Sequence, residues 1–241
     1  MKRSLSIIGY GTFGKFIVRF LKPYFDVYVY DIRKDLKKAT GKGVKFVSLM
    51  EAAQKDVIIL AVNMEHFKAV VKKISKFLKK GTLVIDVCSV KVEPVKLMKK
   101  YLPKHCEIIA THPLFGPQSC KNGIKGRKIM VYGVRTKNLK KFVAFLKNRL
   151  KLNVMQLTPK EHDREMAFIQ VITHLVGRTV NKTNLPELKL STYSYDVLKE
   201  VARIVGTDSD ALFRTIQRYN KFAPKVRKNF VDTLIKISKS V

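Results

Sequence analysis

The chain has 241 residues, 46% of them hydrophobic and 28% charged, a globular composition long enough to bury one large core or two small ones. No apolar run approaches the roughly 18–20 residues of a membrane helix, and the apolar stretch after the basic start is broken at Gly9 and Gly11, which argues against a signal peptide and for a cytoplasmic protein. Lysine and arginine outnumber acidic residues 49 to 18 for a net charge of +31, but the lysines are spread along amphipathic segments (Lys72, Lys73, Lys76, Lys79, Lys80) without a basic tail, so a nucleic-acid partner is not expected.

In chain order, short β-branched runs at 5–8, 27–30, 57–61, 82–86 and 107–110 read as strands buried on both faces. Helical periodicity lies between them at 13–21, 65–78 and 92–101, which makes a βαβ array with a parallel sheet. Two further strands at 129–132 and 153–157 flank a helix at 138–150. Beyond Thr158-Pro159 the pattern is helical only, at 161–181, 194–205 and 208–238, with a candidate interruption at Pro224. The expected fold class is α/β: a Rossmann-type parallel sheet domain over 1–157, then a small all-helical domain over 158–241. The crevice between them is the default site. Three cysteines, Cys88, Cys106 and Cys120, lack paired metal-ligand spacing, so no metal site is expected and they read as reduced thiols.

Gly9-Tyr10-Gly11-Thr12-Phe13-Gly14 stands between a predicted strand and a predicted helix, where a dinucleotide is held. The first glycine makes the turn, the second admits the pyrophosphate, the third lets helix and strand pack, and the amides at Thr12 and Phe13 face the phosphates. Asp31, ending the second strand, is placed to accept hydrogen bonds from the adenine ribose, which favours NAD. Arg33 and Lys34 follow at once and suit a 2′-phosphate, so NADP stays open. Ala61 and Val62, at the end of the third strand, complete the cofactor set. Ser89 and Lys91 fall at the carboxyl edge of the fourth strand, where Ser89 is expected at the nicotinamide and both at the substrate, and His112 falls at the end of the fifth, also expected at the substrate. Histidine is the natural acceptor of a hydroxyl proton when hydride leaves the same carbon.

Through these and later segments the chain resembles the TyrA family of prephenate and arogenate dehydrogenases, most closely its plant-type branch. The resemblance is carried by Gly9 to Gly14, Asp86 to Lys91, Thr111 to Gly123 (THPLFGPQSCKNG), Glu161-His162-Asp163 and Gln170 to Arg178 (QVITHLVGR), with a weaker echo from Asp208 to Asn220. It implies an oxidative decarboxylation of a cyclohexadiene, with His112 as the catalytic histidine and Ser89 orienting hydroxyl and nicotinamide. Gln170, Thr173 and His174 of the helical domain are implied over the substrate, and their i, i+3, i+4 spacing equally suits a polar helix interface. The carboxylates need cations, for which Arg178 and Arg203 are the candidates and Arg214 a third. A neutral Asn122, where plant-type arogenate enzymes tend to carry an acid, tilts the substrate toward prephenate. Asn122 before Gly123 also reads as a plain turn.

The expected protein is therefore an NAD-dependent prephenate dehydrogenase giving 4-hydroxyphenylpyruvate, with NAD- or NADP-dependent arogenate dehydrogenase as the alternative. Hydroxy-acid and pyrroline-carboxylate reductases share the plan but lack the HPLFGP and ITHxxGR pairing. A basic nucleic-acid-binding module on a dehydrogenase scaffold is the non-enzyme alternative. No chorismate mutase or regulatory segment is expected around these two domains, and the apolar faces of the short helical domain lead us to expect a homodimer.

Overall fold

In the computed structural model the described residues are 2–33, 43–186 and 188–241, and the chain divides into two compact units, Met1–Pro159 and Lys160–Val241. Lys34 lies outside the described residues. Among the described residues no helix is long and apolar enough to cross a membrane.

The first unit is an eight-stranded sheet in the order β3-β2-β1-β4-β5-β6-β7-β8. Its strands are β1 (Arg3–Ile8), β2 (Phe25–Tyr30), β3 (Lys45–Phe46), β4 (Val57–Leu60), β5 (Leu83–Asp86), β6 (Glu107–Pro113), β7 (Lys128–Arg135) and β8 (Asn153–Gln156). Among the described residues five helices lie between them: α1 (Thr12–Leu21), α2 (Leu49–Ala53), α3 (Met64–Ile74), α4 (Val92–Tyr101) and α5 (Leu139–Asn148). β4 and β5 are buried at every residue, which is why they read as unbroken apolar runs. The chain leaves β1 for β2 on one side and returns to β4 on the other. The strand order therefore reverses at β1, and the carboxyl ends of β1 and β4 frame the crevice where α/β sheets hold ligands.

The sheet departs from the all-parallel expectation at one place, since β7 runs antiparallel to β6 while every other pair is parallel. A parallel return needs a crossover, usually a helix. The connecting stretch 114–127 carries Gly116, Pro117, Gly123 and Gly126, and its only helical piece is the 3-10 turn Pro117–Ser119. Two short elements were not anticipated, β3 and α2. The second does carry a signal in a capping box, in which Ser48 Oγ accepts the Glu51 N–H and the Glu51 carboxylate accepts the Ser48 N–H.

The second unit holds α6 (Pro159–Met166), a π-helical turn at Ala167–Val171, then α7 (Ile172–Lys182), α8 (Tyr193–Gly206), α9 (Asp210–Tyr219) and α10 (Ala223–Lys239). The expected helix over 161–181 is thus interrupted by a wider turn. A Cβ on Gly177 would stand 2.9 Å from Val205 Cβ, so this glycine sets the close approach of α7 and α8. The break in the 208–238 stretch falls at Asn220 and not at Pro224. Asn220 Oδ1 accepts the Phe222 N–H at 2.9 Å and its Nδ2 donates to the Asp163 carbonyl at 2.7 Å. Pro224 sits in the first turn of α10, where a missing N–H costs nothing.

Candidate active site

Gly9 adopts φ +102°, and a Cβ there would fall 2.3 Å from the Ala61 carbonyl oxygen and 3.0 Å from Val62 Cγ1. At Gly14 a Cβ would fall 2.1 Å from the Gly9 carbonyl oxygen. Both positions must therefore stay glycine for the turn, α1 and the end of β4 to meet. Gly11 is different. Among the described residues a Cβ there would meet only the Arg33 Nη2, at 3.9 Å, so they leave that face of the backbone open. Gly11 is also the N-cap of α1 and offers no capping side chain, which leaves the first-turn amides of Thr12 and Phe13 to an external acceptor. An approachable backbone at an uncapped helix N-terminus fits a pyrophosphate.

Asp31, just past β2, is tied back to this turn. Its Oδ2 accepts the Tyr10 N–H at 2.7 Å and Arg33 Nη2 at 3.1 Å, and its Oδ1 accepts the Arg33 N–H at 3.0 Å and Arg33 Nε at 2.9 Å. Burial works to raise its pKa, but the hydrogen bonds from Arg33 and Tyr10 prevail and hold the carboxyl below the ordinary range. The carboxylate that the sequence reading assigned to ribose hydroxyls is thus already engaged at both oxygens by Arg33.

At the ends of β5 and β6 the structure corrects one assignment. Lys91, expected among substrate-binding residues, is fully buried. Its ammonium donates to Asp86 Oδ2 and to the Thr111 carbonyl. Asp86 Oδ2 also accepts the Cys88 N–H at 3.1 Å, and Thr111 Oγ1 donates to the Asp86 carbonyl at 2.6 Å. Burial raises the Asp86 pKa, with Lys91 pulling against it. This knot binds the segment bearing Ser89, which is half-buried, to the strand end bearing His112, which is 4% exposed and paired in register with Met130. The partner of Lys91, Asp86, which opens the Asp86 to Lys91 segment at the strand end five residues before the lysine, is not among the site residues expected from the sequence. Beyond His112, Phe115 packs edge-on to Phe16 of α1 at 6.3 Å, so the HPLFGP loop rests on the glycine-turn helix. Asn122 is an exposed residue of a turn closed by the Gly123 N–H on the Cys120 carbonyl at 3.2 Å, which accounts for an Asn-Gly pair by itself.

In the helical unit, Gln170 on the π turn and His174 and Arg178 on α7 each carry a buried polar atom without a hydrogen-bond partner among the described residues: Gln170 Oε1, His174 Nδ1 and Arg178 Nε. Arg178 is otherwise anchored, with Nη1 on the Asp210 carboxylate, Nη2 on the Asp208 carbonyl at 2.9 Å and its guanidinium 4.6 Å from the Phe213 ring centre. His174 Nε2 lies 3.7 Å from Asp208 Oδ2, beyond hydrogen-bond reach. Burial first, and the Arg178 charge second, push the His174 pKa down to about 4, so its ring is neutral at pH 7. Two expected members stand outside this row. Thr173 is exposed and donates to the Ile169 carbonyl at 2.5 Å, and Arg203 is exposed and forms a bidentate pair with Glu200 one turn away, at 2.6 and 2.7 Å. Asp208, absent from the sequence-based set, is the carboxylate beside His174.

The family model for the prephenate dehydrogenase nucleotide-binding domain matches residues 17–136, and that for the prephenate dehydrogenase dimerization domain matches residues 158–241. The chain belongs to the prephenate dehydrogenase family. It is 28% identical over 229 residues to arogenate dehydrogenase 2, chloroplastic, of Arabidopsis thaliana, covering 90% of this chain and 63% of that protein. It is 30% identical to a probable arogenate/prephenate dehydrogenase of Methanocaldococcus jannaschii, covering 99% of this chain and 56% of that protein. The chain thus spans less than two thirds of the length of these two relatives. Its fold is similar to that of prephenate dehydrogenase from Aquifex aeolicus in complex with hydroxyphenyl propionate and NAD+, with a TM-score of 0.79 at 22% identity, covering 99% of this chain and 90% of that one.

Proposed function

We propose that this member of the prephenate dehydrogenase family is an NAD(P)-dependent dehydrogenase that oxidatively decarboxylates prephenate to 4-hydroxyphenylpyruvate. The observation that carries this reading is the placement of His112 and Ser89 on adjacent strand ends of a dinucleotide-type sheet, fastened by the buried Lys91–Asp86 pair. The glycine turn, Thr12, Phe13, Ala61 and Val62 would hold the dinucleotide, which supplies a hydride acceptor when bound. Ser89 orients the 4-hydroxyl, and His112 takes its proton as that carbon loses hydride. Loss of the ring carboxylate as CO2 leaves its electron pair to complete the aromatic ring, and the proton returns to the phenolic oxygen. Gln170, His174 and Arg178 are the side chains we assign to the substrate's polar groups, because their unpartnered atoms ask for a ligand. Thr173 and Arg203 we leave out of that set.

Arogenate is the second substrate to test, since the Arabidopsis relative carries that name. The decisive assay follows absorbance at 340 nm with prephenate and arogenate in turn. His112→Asn should lower kcat by about 10²–10⁴, the scale of a lost general base, while leaving dinucleotide affinity intact. Unchanged turnover in that variant would remove His112 from the chemistry.

We also infer a homodimer formed through the helical unit. Phe168, Leu190, Leu234 and Ile237 are large apolar side chains exposed there, and the segment matches a dimerization domain. Sedimentation of the chain at micromolar concentration as a monomer would refute this. The free, buried cysteines suit a reducing compartment such as the cytosol.

A further inference from the structure

We propose that this chain prefers the 2′-phosphorylated dinucleotide, NADP, over NAD, with Arg33 contacting the phosphate and Asp31 positioning Arg33. The inference rests on reading the glycine turn as a dinucleotide site and adds the identity of the ligand to it. An ionised carboxylate has about four lone-pair sites across its two oxygens. Asp31 fills them with two backbone N–H groups and two guanidinium N–H groups, at 2.7 to 3.1 Å. A ribose bearing both hydroxyls needs those same acceptors and has to displace a bidentate arginine to reach them. A ribose bearing a 2′-phosphate needs a cation instead, and there the arginine is an asset.

The placement of Arg33 supports this. Its side chain is 54% exposed while that of Asp31 is only 7% exposed, so the carboxylate forms the floor and the guanidinium the surface. Arg33 Nη2 also leans to within 3.9 Å of the Cβ position at Gly11, the residue of the turn with an open face. The Tyr10 N–H on Asp31 locks the pair to the same turn. Charge acts in the same direction. An unpaired Asp31 would repel a phosphate dianion, whereas the Asp31–Arg33 pair is neutral. Lys15 of α1, whose Nζ lies 5.8 Å from the Tyr10 ring centre, adds a further exposed positive charge beside the turn.

Titration calorimetry of the full chain at about 0.15 M salt, with adenosine 2′,5′-bisphosphate and with adenosine 5′-monophosphate, tests this without turnover. The wild-type chain should bind the bisphosphate at least tenfold tighter, and Arg33→Ala should abolish most of that difference. In parallel assays the NADP to NAD ratio of kcat/KM should exceed ten and fall at least tenfold in Arg33→Ala. The NAD value should hold or improve in that variant as Asp31 is released. Equal or tighter binding of the monophosphate, no binding of either nucleotide, or a ratio unmoved by Arg33→Ala overturns the proposal. Arg33-dependent preference for the bisphosphate, with no turnover of prephenate or arogenate, sustains it and refutes the dehydrogenase reading alone.

Discussion

The Asp86–Lys91–Thr111 knot of the sheet unit and the Gln170–His174–Arg178 row of the helical unit both take polar groups out of water, yet they meet the cost in opposite ways. In the first, a fully buried ammonium finds a carboxylate and a carbonyl within the same unit, leaving only Asp86 Oδ1 without a partner. In the second, three side chains spaced by four residues along one helical face each retain an unpartnered buried atom. A closed cluster of this kind is architecture that fixes its neighbours. An open one is what a ligand's polar groups would complete, which is why the substrate is assigned to it.

Breaking the knot should have the largest effect. Lys91→Met removes the cation bonded to a buried carboxylate, and removal of one partner of such a pair costs about 3–5 kcal/mol. Chemical denaturation should show that loss, and the double variant Asp86→Asn/Lys91→Met should recover much of it, since two neutral groups leave no buried charge. A loss under 1 kcal/mol in the single variant would mean the pair does not clamp the two strand ends.

The open row has its own signature in pH. His174 titrates near 4 in the folded chain, because burial and the Arg178 charge disfavour its cation, against an unperturbed histidine pKa of about 6.5. Between those values the unfolded chain binds more protons than the folded one, so stability falls as pH drops from 6.5 toward 4. The full penalty is about 3 kcal/mol, reached below the folded value. Asp208 shifts the other way, because burial raises its pKa while Arg178 opposes this, and its contribution offsets the histidine's near the acid end. The slope is therefore read best just below pH 6.5, where His174→Gln should flatten it. A slope that survives that substitution belongs to another group.

A smaller effect is expected where the glycine turn meets its helix. Gly14→Ala gains about 1 kcal/mol of helix propensity but places Cβ 2.1 Å from the Gly9 carbonyl oxygen. Backbone cannot swing aside like a side chain, so the clash wins and the net loss should be about 1–3 kcal/mol, with weakened dinucleotide binding. Gly11→Ala, with no described atom nearer than 3.9 Å, should keep its stability and lose affinity alone. Equal stability losses at the two positions would contradict their different surroundings.

How much of this was legible follows from what each feature depends on. β4 and β5 declare themselves because strands covered on both faces need apolar residues throughout, and the glycine turn because close approach permits no Cβ. Strand direction is not written in a strand's own residues. The reversal at β7 was readable only from the connection before it, where glycine and proline deny a crossover helix. The burial of Lys91 was not readable, because a lysine after a strand end looks the same whether it reaches out to a ligand or back to an aspartate. The unpartnered atoms of Gln170, His174 and Arg178 depend on packing within the helical unit, which spacing alone leaves undecided.

Arg203 offers the smallest effect and the sharpest control on the open row. The sequence ranked it beside Arg178 as a partner for a substrate carboxylate. The structure separates them: Arg178 is held by Asp210, the Asp208 carbonyl and the Phe213 ring within the row that includes His174, whereas Arg203 is exposed and paired with Glu200 on its own helix. Solvent screens such a pair, and both side chains lose rotamer freedom to form it, so little is left to remove. Arg203→Ala should therefore leave both melting temperature and substrate KM within error of the parent. Arg178→Ala should raise KM by tenfold or more through the loss of a charge-assisted bond to the substrate. The opposite ranking, with Arg203 controlling KM, would move the anion-binding role onto α8 and leave the orphaned atoms of α7 without the ligand assigned to them.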